Sequence, residues 1–360
     1  MDAHDELSLR RKRLLETLPS VRAGAFLVTA LVNVRYLSGF TGSNGILLLT
    51  PSRSLLFTDP RYQSQAPGES DCDVIVAKGN LSKEVASWVK RLRLRSIAFE
   101  ENRISFAEYQ HLKEVAAPAR FKPVAAAIEE LRMLKSPVEI ATIRASVQLN
   151  SAALEHALRR FRPSMTELDL AAEIEYRMRR LGADGPAFDT IVASGRRTAL
   201  PHARPTGHPI QADCLLLVDV GATVAGYASD MTRTFAVGRL NPKLRRMYKA
   251  VLESQLAALD AVRPGVSCAS IDSAARDVLR RYGLEKFFIH STGHGLGLEI
   301  HERPRLGHKE RVKLQSGMVV TIEPGVYQPE IGGVRIEDTV VVTGRGCEIL
   351  TPTGKELVVL

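Results

Sequence analysis

Short apolar runs bordered by Gly, Ser, Pro and Asp dominate the first third of the chain. AGAFLVTA (23–30), NGILLLT (44–50), RSLLFT (53–58) and CDVIVA (72–77) have the length and borders of strands. The helix-period segments SKEVASWVKRLR (82–93) and SFAEYQHLKEVA (105–116) follow, with the strand-like RSIAFE (95–100) between them. Such alternation predicts an α/β domain, preceded by a helix over 1–20 that ends near Pro19. The pattern then changes. Pro123 and Pro137 bracket a short helix, and a long amphipathic helix starts after Pro137. The domain boundary falls within 122–134, dividing the chain into 1–128 and 129–360.

The second part predicts helices over 138–161, 165–181, 243–262 and 269–282, with a strand in FDTIVASG (188–195) and a His- and Pro-rich loop, LPHARPTGHP (200–209). Two further segments share one scheme. CLLLVDVGATVAGYASDMTRTFAV (214–237) runs apolar to Asp219, turns through glycines, and returns through Asp230. MVVTIEPGVYQPEIGGVRIEDTVVV (318–342) does the same with Glu323 and Glu337. Each pair fits opposite arms of an antiparallel ribbon, with the acids meeting across the strands. The second part is therefore expected to be an α+β domain with an internal duplication, one acid pair from each copy.

Composition narrows the function classes. A chain of 360 residues with 45% hydrophobic and 25% charged residues is an ordinary globular protein of about two domains. No apolar stretch is long enough to span a bilayer, and MDAHDELSLRRKRLLETL lacks the apolar core of a signal peptide. Cys72, Cys214, Cys268 and Cys347 form no CxxC pair, so reduced cysteines in a cytoplasmic protein are expected. The net charge of +9 raises the question of nucleic acid. The basic residues are spread over several helical faces, however, without interleaved aromatic residues to stack on bases, and nucleic-acid binding is not expected.

Asp219 and Glu323 each end an apolar run where burial is expected, and a buried carboxylate needs a cation. With Asp230, His294 and Glu337 they make a hard, anionic set of four carboxylates and an imidazole. That set suits two divalent ions such as Mn²⁺ better than one tetrahedral Zn²⁺. Two ions bridged by carboxylates hold a hydroxide between them, the usual nucleophile of metal-assisted hydrolysis. Thr232 shares the strand face of Asp230, and Arg335 that of Glu337, where it would orient the carboxylate and keep it ionised. In HSTGHGLGLEIHE (290–302), Gly293, Gly295 and Gly297 argue for a tightly packed extended segment rather than a helix. His294 is then the ligand, His301 is placed for proton transfer or oxyanion stabilisation, and His290 reads as a hydrogen-bonded buried histidine. His202 alone reads as a surface residue. Arg305 reads as a solvated charge or as a grip on a substrate carboxylate.

FDTIVASG, LPHARPT, VDVGATVAGYASDMTRTFAVG, HSTGHGLGLEIHE, VVTIEPGVY and GGVRIEDTVVV resemble, in order, the signature blocks of the pita-bread metallopeptidases, in the prolidase and aminopeptidase P branch. NVRYLSGFTGSNGILLL and LLFTDPRYQSQA resemble the creatinase-type N-terminal domain of that branch. The resemblance implies a creatinase-like α/β domain followed by a pita-bread catalytic domain with a pseudo-twofold. It implies that Asp219 binds one metal and His294 and Glu323 the second, with Asp230 and Glu337 bridging. Glu323 would shuttle protons, while His202 and His301 would stabilise the tetrahedral intermediate and contact substrate. The implied activity is cleavage before proline by a metal-bridging hydroxide, in an Xaa-Pro dipeptidase with Arg305 holding the substrate carboxylate; the alternative is an Xaa-Pro aminopeptidase acting on longer peptides. Arg303 departs from the glycine common at its position. Mn²⁺ is the expected ion, with Co²⁺ and Zn²⁺ as alternatives, and a homodimer is expected.

Overall fold

The computed structural model describes residues 3–360, which divide into two compact units, one ending at Arg132 and the other beginning at Met133. In the first unit a six-stranded sheet runs in the order β4-β3-β2-β1-β5-β6. Its strands are β1 (Ala25–Val28), β2 (Gly45–Thr50), β3 (Arg53–Thr58), β4 (Asp73–Val76), β5 (Ser96–Glu100) and β6 (Arg120–Val124). The central β1 is buried along its length, pairing antiparallel to β2 and parallel to β5. Helices Leu81–Arg91 and Phe106–Val115 begin where their sequences provide caps. The Asn80 side chain accepts from the Lys83 N–H, and Ser105 and Glu108 form a reciprocal capping box.

Two expectations for this unit need correction. The first helix spans Ala3–Leu15, and Pro19 sits near the start of a separate turn of helix, Leu18–Val21. Proline, lacking an N–H, is suited to a helix start. A helix at Leu31–Ser38 also lies where no element was expected. Asn33 interrupts its apolar pattern, yet is fully buried, donating to Glu100 Oε1 at 2.6 Å and accepting from Arg132 at 2.7 Å.

The second unit holds helices Pro137–Leu158, Glu167–Leu181, Pro242–Ala261 and Cys268–Arg281, close to the expected spans. Its strands build two similar halves. In the first, β7 (Ile191–Ser194), β8 (Cys214–Val220) and β9 (Met231–Val237) form an antiparallel sheet. In the second, β10 (Gly293–Gly295), β11 (Glu302–Leu306), β12 (Val319–Ile322), β15 (Asp338–Val342) and β16 (Cys347–Ile349) form a sheet in the order β11-β10-β12-β15-β16. A separate hairpin pairs β13 (Gly325–Gln328) with β14 (Gly332–Arg335). Each half has its own apolar core. Leu154, Leu170 and Ile174 pack with Leu216 and Val218 in one, and Val251, Ile271 and Ala275 with Val320 and Val340 in the other. The halves are sewn together beside the acids: the Glu337 N–H donates to the Thr232 carbonyl, and Thr339 Oγ1 to that of Asp230.

Candidate metal centre

Strand ends deliver the acids. Asp219 lies in β8 opposite Thr232 of β9, and Asp230 stands one residue before β9 begins. The acids of this ribbon are thus offset along the ladder rather than facing each other, because the Met231–Val220 pairing sets the register. Glu323 and Glu337 lie immediately outside the paired residues Ile322 and Asp338 of the second ribbon.

His294 comes from β10, which can pass so close to its neighbours only because its flanking residues are glycines. A Cβ on Gly293 would lie 1.9 Å from the Thr321 carbonyl oxygen, and one on Gly295 2.3 Å from that of Arg303. The His294 Nδ1 lies 3.0 Å from the Gly295 carbonyl oxygen, which can only accept, so the proton sits on Nδ1. Burial lowers the imidazole pKa and keeps it neutral. The Nε2 lone pair then points among carboxylates, 3.3 Å from Glu323 Oε1 and 3.6 Å from Asp230 Oδ2.

Asp230, His294 and Glu337 bring one ligand atom each within 4.8 Å of one another. Burial pushes the carboxyls of Asp230 and Glu337 well up and that of Glu323 up, and neighbouring carboxylates add to the shift in each. Asp219 Oδ1 and Glu337 Oε1 are buried without a hydrogen-bond partner among the described residues. Converging acceptors with orphaned oxygens fit divalent cations, and the mainly oxygen donor set fits hard ones. All five expected ligand residues thus reach this region, His294 and Glu323 by direct approach and Asp219 through its ion pair with Arg335.

Arg335 was expected to orient Glu337. Its guanidinium reaches Asp219 instead, donating from Nη2 to Oδ2 at 2.6 Å. Glu337 is served indirectly, since Arg335 Nε donates to Thr232 Oγ1 at 3.0 Å and that hydroxyl donates to Glu337 Oε2 at 2.7 Å. The arginine turns toward the first ribbon because Thr232, paired with Asp219, lies between it and Glu337.

Tyr327 was not singled out from the sequence. Its hydroxyl accepts from Arg335 Nη1 at 2.7 Å and lies 2.9 Å from His290 Nε2. His290 Nδ1 faces the Ser291 carbonyl at 2.8 Å, which fixes its proton there and leaves Nε2 to accept from the tyrosine. Position 327 lies two residues from Gly325, the strand partner of Arg335, so alternation in β13 would have revealed the contact once that pairing was known.

The remaining site residues ring the cluster. The His301 ring stacks edge-on against that of His294 with centroids 4.4 Å apart, and burial, with His294 as its neighbour, lowers its pKa. His202 is exposed on a turn whose Pro201 carbonyl accepts from Arg335 Nη1 at 3.2 Å. Burial, the largest cause, lowers the pKa of His290, and the neighbouring His202 opposes protonation of both His290 and His301. Arg305 is exposed, pairs with His294 across the β10–β11 ladder and donates to Ser291 Oγ at 2.5 Å.

Residues 141–344 match metallopeptidase family M24, and residues 10–134 match the creatinase/prolidase N-terminal domain. An Xaa-Pro dipeptidase of Pyrococcus horikoshii is 36% identical over 356 residues, spanning 98% of this chain and 100% of that protein. The solved Xaa-Pro dipeptidase of Bacillus anthracis is 38% identical with a TM-score of 0.96, over 98% of this chain and 100% of its own. The solved X-Pro aminopeptidase of Thermotoga maritima MSB8 is 36% identical with a TM-score of 0.91, over 96% and 100%. Two similar halves meeting at a cluster of acids, joined to an α/β domain that matches in its own right, lead to one assignment: the chain belongs to metallopeptidase family M24, with a creatinase-type N-terminal domain and a pita-bread catalytic domain.

Proposed function

We propose that the chain is an Xaa-Pro dipeptidase working through a dinuclear centre at Asp219, Asp230, His294, Glu323 and Glu337. The observation that carries this reading is the neutral His294 Nε2 directed at Glu323 and Asp230 beside two orphaned carboxylate oxygens. Divalent ions held there would polarise the scissile carbonyl and activate a water for attack, and Mn²⁺ is the ion we assign. Glu323, whose carboxyl is raised by burial, takes a proton from the attacking water and delivers it to the departing proline nitrogen. That nitrogen has no N–H to be recognised, so the substrate must be held by its carbonyl and carboxylate. His301, stacked against His294, and His202 donate to the developing oxyanion. Arg305, opposite His294, receives the C-terminal carboxylate of the dipeptide. The four free cysteines suit a reducing, cytoplasmic setting, and we assign a homodimer.

A second reading, Xaa-Pro aminopeptidase, is favoured by the likeness to the Thermotoga maritima enzyme. Hydrolysis of an Xaa-Pro dipeptide beside an Xaa-Pro-Xaa tripeptide separates the two. The dipeptidase reading expects the dipeptide to be preferred, and Arg305→Ala to raise its KM while sparing the residual tripeptide cleavage. Preference for the tripeptide would overturn the carboxylate role of Arg305.

A further inference from the structure

The N-terminal unit carries a cavity of about 680 Å³ beside the amino ends of β5 and β6, lined by Arg22, Lys90, Arg93, Arg95, Arg120 and Lys122. Its floor is apolar, formed by Val89, Ala116 and Ala119 of the unit's core together with Leu94. No aspartate or glutamate lines it. Elsewhere the chain pairs its arginines freely, as in Arg11–Asp71, Arg53–Asp73, Arg144–Glu348 and Arg280–Glu285. None of the six cavity cations has an ion-pair partner among the described residues. Helix-end electrostatics account for Lys90, which lies in the last turn of its helix, and for Arg22, which caps one. Charges at a sheet edge deter edge-to-edge pairing, which accounts for Arg120 and Lys122 on the edge strand β6. Neither reason requires the six to surround one apolar-floored cavity without a counter-charge.

We propose that this cavity binds a small ligand with an apolar, planar body and two or more phosphate groups, of the nucleoside polyphosphate class. The volume lies in the range of small-ligand pockets, and guanidinium groups suit bidentate contact with phosphate oxygens. β6 places Arg120 and Lys122 two residues apart, on one side of the strand, with Arg120 directly opposite Ser96 of β5. Side chains from the adjacent ends of β5 and β6 thus provide several cationic contacts for linked phosphates, while the floor accepts the apolar body.

The test is calorimetric titration of the full chain at physiological ionic strength with ATP, AMP, inorganic pyrophosphate and a single-stranded oligonucleotide. The proposal expects saturable 1:1 binding of ATP, tighter than AMP or pyrophosphate. Arg95→Glu with Arg120→Glu should weaken it at least tenfold, whereas Arg281→Glu with Arg345→Glu, the same charge change on exposed sites elsewhere, should not. Arg95→Gln with Arg120→Gln, checked for an unchanged melt, repeats the loss without reversing charge. Absence of saturable ATP binding, equal loss in both Glu pairs, or binding of the oligonucleotide alone would overturn the proposal.

Discussion

At the scale of single residues, the acid cluster depends on which groups neutralise its buried carboxylates. Thr232 is the clearest case, because one hydroxyl couples Arg335 to Glu337. Thr232→Val keeps the shape and removes the link, and groups of this kind typically contribute 10–100-fold to metal affinity. We expect a loss in about that range by metal titration, and an unchanged affinity would remove Thr232 from the site. Glu337 gives a prediction in pH. Its carboxyl is raised in the folded protein above its ordinary value of 4.5, so the protonated form is the one the metal-free fold favours. Stability from that preference is complete below about pH 4.5 and is lost as pH rises through the folded pKa. In metal-free protein, Glu337→Gln should therefore melt above the parent at pH 7.5, with the difference closing toward pH 4.5; a difference that widened on acidification would contradict the burial argument. His202→Ala should cut turnover by about 10²-fold or more while metal content is kept. Sequence chemistry alone made His202 an ordinary loop histidine, and only the family resemblance singled it out. The reason is physical: its place near His301 depends on the folded turn at Pro201, which a linear reading does not contain.

At the scale of elements, strand and helix periodicity was readable wherever burial follows hydrophobicity. CLLLVDV and MTRTFAV became the fully buried β8 and β9, and the helix beginning at Pro137 starts beneath a Ser136–Glu139 capping box. Leu31–Ser38 escaped because a polar residue, Asn33, occupies a core position through its hydrogen bonds. The offset between Asp219 and Asp230, and with it the reach of Arg335 to Asp219, was also hidden, since ribbon register is settled by pairing rather than by either strand alone. The glycines around His294 were legible as close-approach positions. Gly293→Ala forces a Cβ into the Thr321 carbonyl and should cost about 1–3 kcal/mol in urea unfolding, with weakened metal binding as β10 shifts. Gly344→Ala, with nothing within 4 Å of the added Cβ, should do neither. Equal effects of the two would mean that the packing around His294 is not the constraint argued here.

At the scale of the whole molecule, the two-domain order and the duplicated catalytic domain were legible from the alternation of elements and the repeated acid-bearing ribbons. The contrast between an α/β first domain and an α+β second one does not depend on exact strand ends. Among the described residues no helix is long and apolar enough to cross a membrane. The four carboxylates proposed as ligands repel one another when no cation lies among them, so the catalytic domain is expected to be stabilised by metal. Verified chelation should lower the melting temperature, and re-addition of Mn²⁺ should restore it. The rate of Ala-Pro hydrolysis, followed as metal-stripped protein is titrated with Mn²⁺, ties that cluster to cleavage before proline. A dinuclear dipeptidase should show no cleavage without metal and a rate that reaches its plateau at two ions per chain. A plateau at one ion would contradict the dinuclear centre, and absence of cleavage by the fully loaded protein would contradict the dipeptidase function itself.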